Sequence, residues 1–224
     1  MKSSENLTLA EKSAQDVLDY IRERNMEPGD KLPTEVELVE LLGVGRNTVR
    51  EALRLLMSRN IIVIRQGAGA FVSEKNGVAD DPFGFSMVED RKKLTEDLLQ
   101  IRTMIEPKIA ALAAQNRSQE ELERLEAALE AVENAMSETC GYAEEDSLFH
   151  ARIAECTHNM VMANLVPVIS QGVEVFSGTV REQEYRQTLS SHRAIFQAIR
   201  DQKVVEAEQA MYYHLLYNYN RYHE

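Results

Sequence analysis

Residues 28–73 read PGDKLPTEVELVELLGVGRNTVREALRLLMSRNIIVIRQGAGAFVS, and they decide the fold of the N-terminal third. Pro28-Gly29-Asp30 marks a turn. Thr34 with Glu37 three residues on has the form of a capping box. A short helix is predicted from there to about Leu42, with Leu38, Leu41 and Leu42 turned inward. Gly43-Val44-Gly45 breaks it, and a further helix runs from about Arg46 to Arg59 on the apolar stripe Val49, Leu53 and Leu56. Two β-rich runs, 61–65 and 70–73, flank Gln66-Gly67-Ala68-Gly69 and read as a hairpin. Upstream, residues 9–25 place Ala14, Val17, Leu18 and Ile21 at helical spacing. Helix, helix, turn, helix and hairpin in that order make a winged helix-turn-helix.

The same stretch carries chemistry suited to DNA. Arg46, Arg50 and Arg54 recur every fourth residue and form one stripe opposite the apolar one. Arg46, Asn47 and Thr48 stand at the helix start, the end of a recognition helix that meets base edges. Arginine can donate twice to guanine, and asparagine can pair with adenine. Gly67 and Gly69 allow the hairpin tip to approach a backbone closely. Periodicity alone also suits a helical protein–protein module, and the arginine stripe also suits a plain solvated face.

Charge separates the two parts of the chain. The 224 residues carry a net charge of −12. Residues 1–78 hold 11 basic and 12 acidic side chains, a net of −1, and residues 79–224 hold 14 and 25, a net of −11. Within 43–66 five arginines face one glutamate, a net of +4. A local basic patch on an acidic protein still attracts a polyanion, because distant charges are screened beyond about 10 Å at 0.1 M salt. The overall acidity argues against nonspecific coating of nucleic acid. No apolar run spans a bilayer and the N-terminus has no signal-peptide pattern, so a cytoplasmic protein is expected. Cys140 and Cys156 show no CxxC pattern and are expected to be reduced.

Asp80-Asp81-Pro82-Phe83-Gly84 reads as a linker, giving expected domains of 1–78 and 79–224. Beyond it the pattern is helical, with segments near 92–116, 118–138, 142–157, 160–178, 184–201 and 203–222. Pro107 and Pro167 fall inside helical patterns and are expected to kink them or to mark new starts. The expected fold is therefore mainly α: a winged helix-turn-helix followed by an all-α bundle of six or seven helices. Asp146 and His150 share a helix face with Ile153. His192 lies among Leu189, Ile195, Phe196 and Ile199, and His214 continues the stripe of Ala207, Ala210 and Met211. A buried imidazole needs a partner. Three imidazoles and a carboxylate from three helices suit a divalent metal in a bundle core, and spacing alone equally allows ordinary hydrogen-bonded core histidines. His158 and His223 lie off these stripes and read as surface.

Residues 28–73 closely resemble the DNA-binding domain of the GntR family of bacterial transcription regulators. The match rests on PGxxLP-x-E, on L-x-x-x-x-G-V-x-R-x-x-V-R-E-A-L and on the R-Q-G-x-G wing. The resemblance implies that Arg46, Asn47, Thr48, Arg50 and Gly67 meet double-stranded DNA, with Glu35 nearby. Val36 stands where some members carry an operator-reading Arg, and Gly45 where relatives often have Ser or Thr, so no operator sequence carries over. Residues 94–219 resemble the helical FCD effector domain of the FadR-type branch. The matching pieces are Leu99-x-x-Arg102-x-x-x-Glu106, Asp146-x-x-Phe149-His150-x-x-Ile153, Asn159, His192-x-x-Ile195-x-x-Ala198-Ile199 and Ala210-x-x-x-His214. The resemblance implies a divalent metal, zinc or nickel foremost, on Asp146, His150, His192 and His214, and an effector carboxylate on Arg102. Without the resemblance, Arg102 also reads as a salt-bridge partner of Glu106. The acyl-CoA-responsive members lack this metal site, which argues against that effector.

The function expected on these grounds is a homodimeric transcription regulator, a repressor rather than an activator. It would bind a palindromic operator under the control of a small organic acid: a sugar acid, hydroxy acid or dicarboxylate. One alternative makes the metal itself the signal. Another makes the metal site an enzyme acting on a small acid, but the chain has no HExxH, nucleophile elbow or P-loop, and nothing singles out Glu145 or Glu155 as a base.

Overall fold

The computed structural model describes residues 7–75, 77–79, 81–137, 142–174 and 182–222. Asp80, Cys140, His223 and the expected helical stretch 175–178 lie outside them. The chain divides into two compact units, Met1–Pro82 and Phe83–Glu224.

In the first unit, α1 (Leu9–Glu23) starts at a capping box in which the Thr8 side chain accepts from the Glu11 N–H while Glu11 reaches back. Helix α2 (Glu35–Leu42) starts the same way from Thr34 and Glu37. It ends at Gly43, whose φ of 64° is the left-handed cap that glycine takes without strain. Helix α3 (Arg46–Ser58) then crosses it. Ala14, Val17 and Ile21 of α1, Leu38 of α2 and Val49, Ala52, Leu53 and Leu56 of α3 share one core with Leu32, Ile62, Ala70 and Val72. Burying each of the larger side chains contributes about 1.5–3 kcal/mol. Leu41 departs from expectation. It is 54% exposed, because α2 spans only eight residues and meets the core through Leu38, with Leu42 half-buried beside it.

Strands β1 (Ile62–Arg65) and β2 (Gly69–Val72) pair antiparallel, with Ile62 opposite Val72 and Arg65 opposite Gly69. Residues 29–32 extend the sheet on its other side. The Leu32 N–H donates to the Ala70 carbonyl at 2.9 Å, and Lys31 bridges Phe71. This is the expected wing.

The second unit contains α4 (Arg91–Asn116), α5 (Gln119–Ser137), α6 (Ala143–Glu155), α7 (Met160–Glu174), α8 (Glu182–Arg200) and α9 (Val204–Tyr222), preceded by a single 3-10 turn at Phe85–Met87. Six helices among the described residues fall within the expected six or seven. Their core gathers Leu125, Val132, Phe149, Ile153, Ile195, Ile199, Met211 and Leu215. Neither proline starts a new helix: Pro107 lies inside α4 and Pro167 inside α7. Each removes one N–H from the helical ladder, and the helix continues past it. Cys156 is a buried free thiol whose pKa is pushed up to about 12, first by burial and then by Glu121 and Glu155.

Candidate functional site

The start of α3 presents Arg46 and Asn47 to solvent, with Thr48 half-buried and Arg50 exposed. The opposite face buries Val49, Ala52, Leu53 and Leu56, so the arginine stripe and the core stripe lie on different sides, as the spacing predicts. Gly45 caps the helix without a side chain, so no side-chain oxygen takes up the first N–H groups. Arg50 Nε donates to Glu35 Oε2 at 2.9 Å, tying α3 to α2. Arg54 is held instead by Glu51 at 2.6 Å. Gly67, with φ of 74°, forms the exposed tip of the wing.

Two further cations belong to this surface: Arg65, one of the five arginines of the 43–66 patch, and Lys31, which the sequence did not single out. The Arg65 guanidinium lies 4.7 Å from the centroid of the Phe71 ring, and Lys31 Nζ lies 6.0 Å from it. Phe71 alternates with the inward Ala70 and Val72, so this cluster sits on the outer face of the wing. Gly69 makes room for it: a Cβ there would lie 3.2 Å from Lys31 Cε. The signal in the sequence was Arg65 as part of a basic patch and Lys31 as an isolated charge. Their convergence depends on the strand register.

In the helical unit, α6 supplies Asp146 and His150, α8 supplies His192 and α9 supplies His214. The four residues each offer one ligand atom, and these atoms lie within 4.8 Å of one another. The three histidines are buried, and Asp146 is 15% exposed at the side chain. Asp146 Oδ1 is 3.2 Å from His192 Nε2, and Oδ2 is 3.8 Å from His150 Nε2. These contacts lack the direction of hydrogen bonds: among the described residues no such partner reaches His150 Nε2 or either His192 nitrogen. Buried nitrogens left this way cost free energy unless something else takes their lone pairs. Burial lowers the His192 pKa to about 4 against the opposing pull of Asp146. Burial, together with His192 and His150, takes His214 well below its ordinary value. Neutral imidazoles are the form that binds a metal. The donor set therefore fits a divalent ion, and with no thiolate it suits Zn, Ni, Mn or Co.

Arg102 does not stand alone beside this group. It is 2% exposed, and its Nε donates to Glu106 Oε1 at 2.5 Å. The other Glu106 oxygen lies 2.5 Å from His150 Nδ1. Burial alone would raise the Glu106 pKa, but Arg102 and His150 hold it at about 2, so it is a carboxylate. Glu106 thus links the Arg102 position to the histidine cluster. His214 Nδ1 lies 2.8 Å from Ser191 Oγ, and its Nε2 lies 3.3 Å from the Asn218 amide nitrogen. Sequence reading left Ser191 and Asn218 unassigned, since these roles come from contacts between helices rather than from periodicity. Tyr142, near Asp146, has its pKa raised to about 12, first by burial and then by that carboxylate, with Arg221 pulling the other way. His158 is exposed and paired with Glu121 at 2.9 Å, away from the cluster.

Comparison with known proteins agrees with both units. Residues 9–72 match the model of bacterial regulatory proteins of the gntR family, and residues 97–217 match the FCD domain. The galactonate operon transcriptional repressor of Escherichia coli is 32% identical, over 82% of this chain and 83% of that protein. The Uxu operon transcriptional regulator of the same organism is 30% identical over 89% and 80%. Among solved structures, a GntR protein of Streptococcus agalactiae superposes with a TM-score of 0.80 at 38% identity, covering 94% of this chain and 99% of that one.

Proposed function

The chain belongs to the gntR family of bacterial transcription regulators and carries an FCD domain, and from that premise we propose a repressor controlled by a small organic acid at a metal site. Residues 1–78 bind a palindromic operator through Arg46, Asn47, Thr48, Arg50 and Gly67, with Glu35 orienting Arg50. Residues 79–224 hold the metal on Asp146, His150, His192 and His214, take the effector and form a homodimer. The metal, when bound, supplies Lewis-acidic positions for an effector oxygen. Arg102 adds a buried cation one carboxylate away from His150. The observation that carries this reading is the convergence of three buried imidazoles and one carboxylate, with His150 Nε2 and both His192 nitrogens unpartnered among the described residues.

The acid is a sugar acid or another hydroxy acid. Supporting this class, the relatives include a repressor named for a galactonate operon and a putative regulator named for an L-lactate dehydrogenase operon. Binding that favours one dimer arrangement by about 1–3 kcal/mol is enough to change operator occupancy. The protein is cytoplasmic in this reading. No helix among the described residues is long and apolar enough to cross a membrane.

A thermal-shift screen with a panel of small carboxylates, run with and without chelator, tests the proposal. An acid at 100 times its Kd adds about 2.7 kcal/mol to the folded state, a shift of several degrees for a chain of this size. One hydroxy acid giving a chelator-sensitive shift is the expected result. No shift with any acid, together with a large loss of stability on chelation, would overturn acid control and make the metal itself the signal.

A further inference from the structure

We infer that Glu106 and Ser191 are positioning residues of the metal group, each fixing one histidine as its Nδ1–H tautomer so that the Nε2 lone pair is left for the ion. The inference rests on the metal reading above and names residues outside the four ligands.

The hydrogen-bond directions carry it. Glu106 is buried and takes the Arg102 Nε–H on Oε1, so its Oε2, 2.5 Å from His150 Nδ1, stands there as an acceptor. A neutral His150 must therefore carry its proton on Nδ1, and Nε2 holds the lone pair. Ser191 gives the same answer by a different route. Its hydroxyl hydrogen is committed to the Thr188 carbonyl at 2.8 Å, so its oxygen accepts from His214 Nδ1. The other side of that ring agrees: the Asn218 amide nitrogen, a donor, faces His214 Nε2 at 3.3 Å, which requires a lone pair there. Two rings from two helices thus have their tautomers set by outer partners before any ion arrives.

His192 differs. No hydrogen-bond partner reaches its Nδ1 among the described residues, and it is seated by packing, its ring 4.6 Å from that of Phe149. The three imidazoles are therefore not equivalent. His150 and His214 are preset by hydrogen bonds, and His192 is placed by shape. Outer partners of this type orient a metal-binding histidine, and their loss weakens metal affinity by about 10- to 100-fold. Arg102 completes the arrangement, since its bond to Glu106 holds that carboxyl group in place.

The test uses the full-length protein and zinc. Zinc affinity is read by competition with a chromophoric chelator. Histidine tautomers in the metal-free protein are read by long-range proton–nitrogen correlation. Ser191→Ala, at a half-buried position, and Glu106→Gln are each expected to weaken zinc by about 10- to 100-fold. Ser191→Thr is expected to restore affinity, because it restores the hydroxyl. The wild-type spectrum is expected to show His150 and His214 protonated on Nδ1, with the His214 pattern altered in Ser191→Ala. Wild-type zinc affinity in Ser191→Ala and in folded Glu106→Gln would overturn the inference and leave the metal site standing. So would a wild-type His214 protonated on Nε2. A wild-type protein that binds no zinc would overturn the metal reading and this inference together.

Discussion

Arg50 Nε and Glu35 Oε2 stand 2.9 Å apart, joining α2 and α3 of the DNA-reading unit through side chains that are 53% and 40% exposed. An ion pair this open adds little to folding, about 0–1 kcal/mol. Its consequence is orientation: one edge of the guanidinium is occupied, and its direction is set before DNA arrives. Arg50→Ala is therefore expected to cost about 1–3 kcal/mol in operator binding. Glu35→Ala should leave the melting temperature nearly unchanged while lowering the ratio of operator to random-duplex affinity. Arg46→Ala, with no such tie to α2, should cost a similar amount and relax one operator position. Fluorescence anisotropy on operator and scrambled duplexes checks all three. Unchanged operator affinity in Arg46→Ala would remove it from base readout.

The wing cations should behave differently from those on α3. Lys31 and Arg65 flank Phe71 on the outer sheet face. Such cations suit phosphates, and neutralising one phosphate contributes about 0.9 to the slope of log K against log salt. Lys31→Gln and Arg65→Gln are each expected to reduce that slope by about one on operator and scrambled DNA alike. Loss of affinity confined to the operator would instead make the wing a base reader.

The buried histidines predict a pH dependence of the metal-free protein. His192 titrates near 4 in the folded chain and near 6.5 when unfolded. Between these values the unfolded state binds the extra proton, so stability is full above about pH 6.5 and falls as pH drops toward 4. His214 acts in the same direction. Glu106, held at about 2, contributes stability that is lost as pH falls below its unfolded value of about 4.5, so it adds to the fall only at the acid end of this window. Thermal melts of chelator-treated protein from pH 7.5 to 4.5 should show a falling midpoint. A midpoint flat across that range would mean the imidazoles are not buried neutral.

Much of this was legible in the sequence because it is local. Capping boxes span three residues, and the stripe of Val49, Leu53 and Leu56 repeats within one helix. The inward faces of His150, His192 and His214 follow from the same periodicity, and all three are buried. What was missed joins distant segments. Glu106 and His150 are 44 residues apart, and Ser191 and His214 are 23 apart, so no spacing rule connects them. Lys31 meets Phe71 only through a strand pairing outside the hairpin. Leu41 was misplaced because an eight-residue helix buries less than its apolar pattern offers.

His192→Ala separates the roles of the two units. The ring is fully buried and packs on Phe149, so its removal leaves a cavity and costs on the order of 2–5 kcal/mol in the helical unit. The core of the DNA-reading unit is built from other residues, from Ala14 to Val72. Removing one of four converging donors should take bound zinc to background and abolish the chelator-sensitive response to acid. Binding to the operator without acid should persist wherever the variant stays folded and dimeric. Metal content by mass spectrometry and operator anisotropy on the same preparation measure both. Full metal stoichiometry in a folded His192→Ala protein would take His192 out of the ligand set and leave its unpartnered nitrogens in need of another explanation.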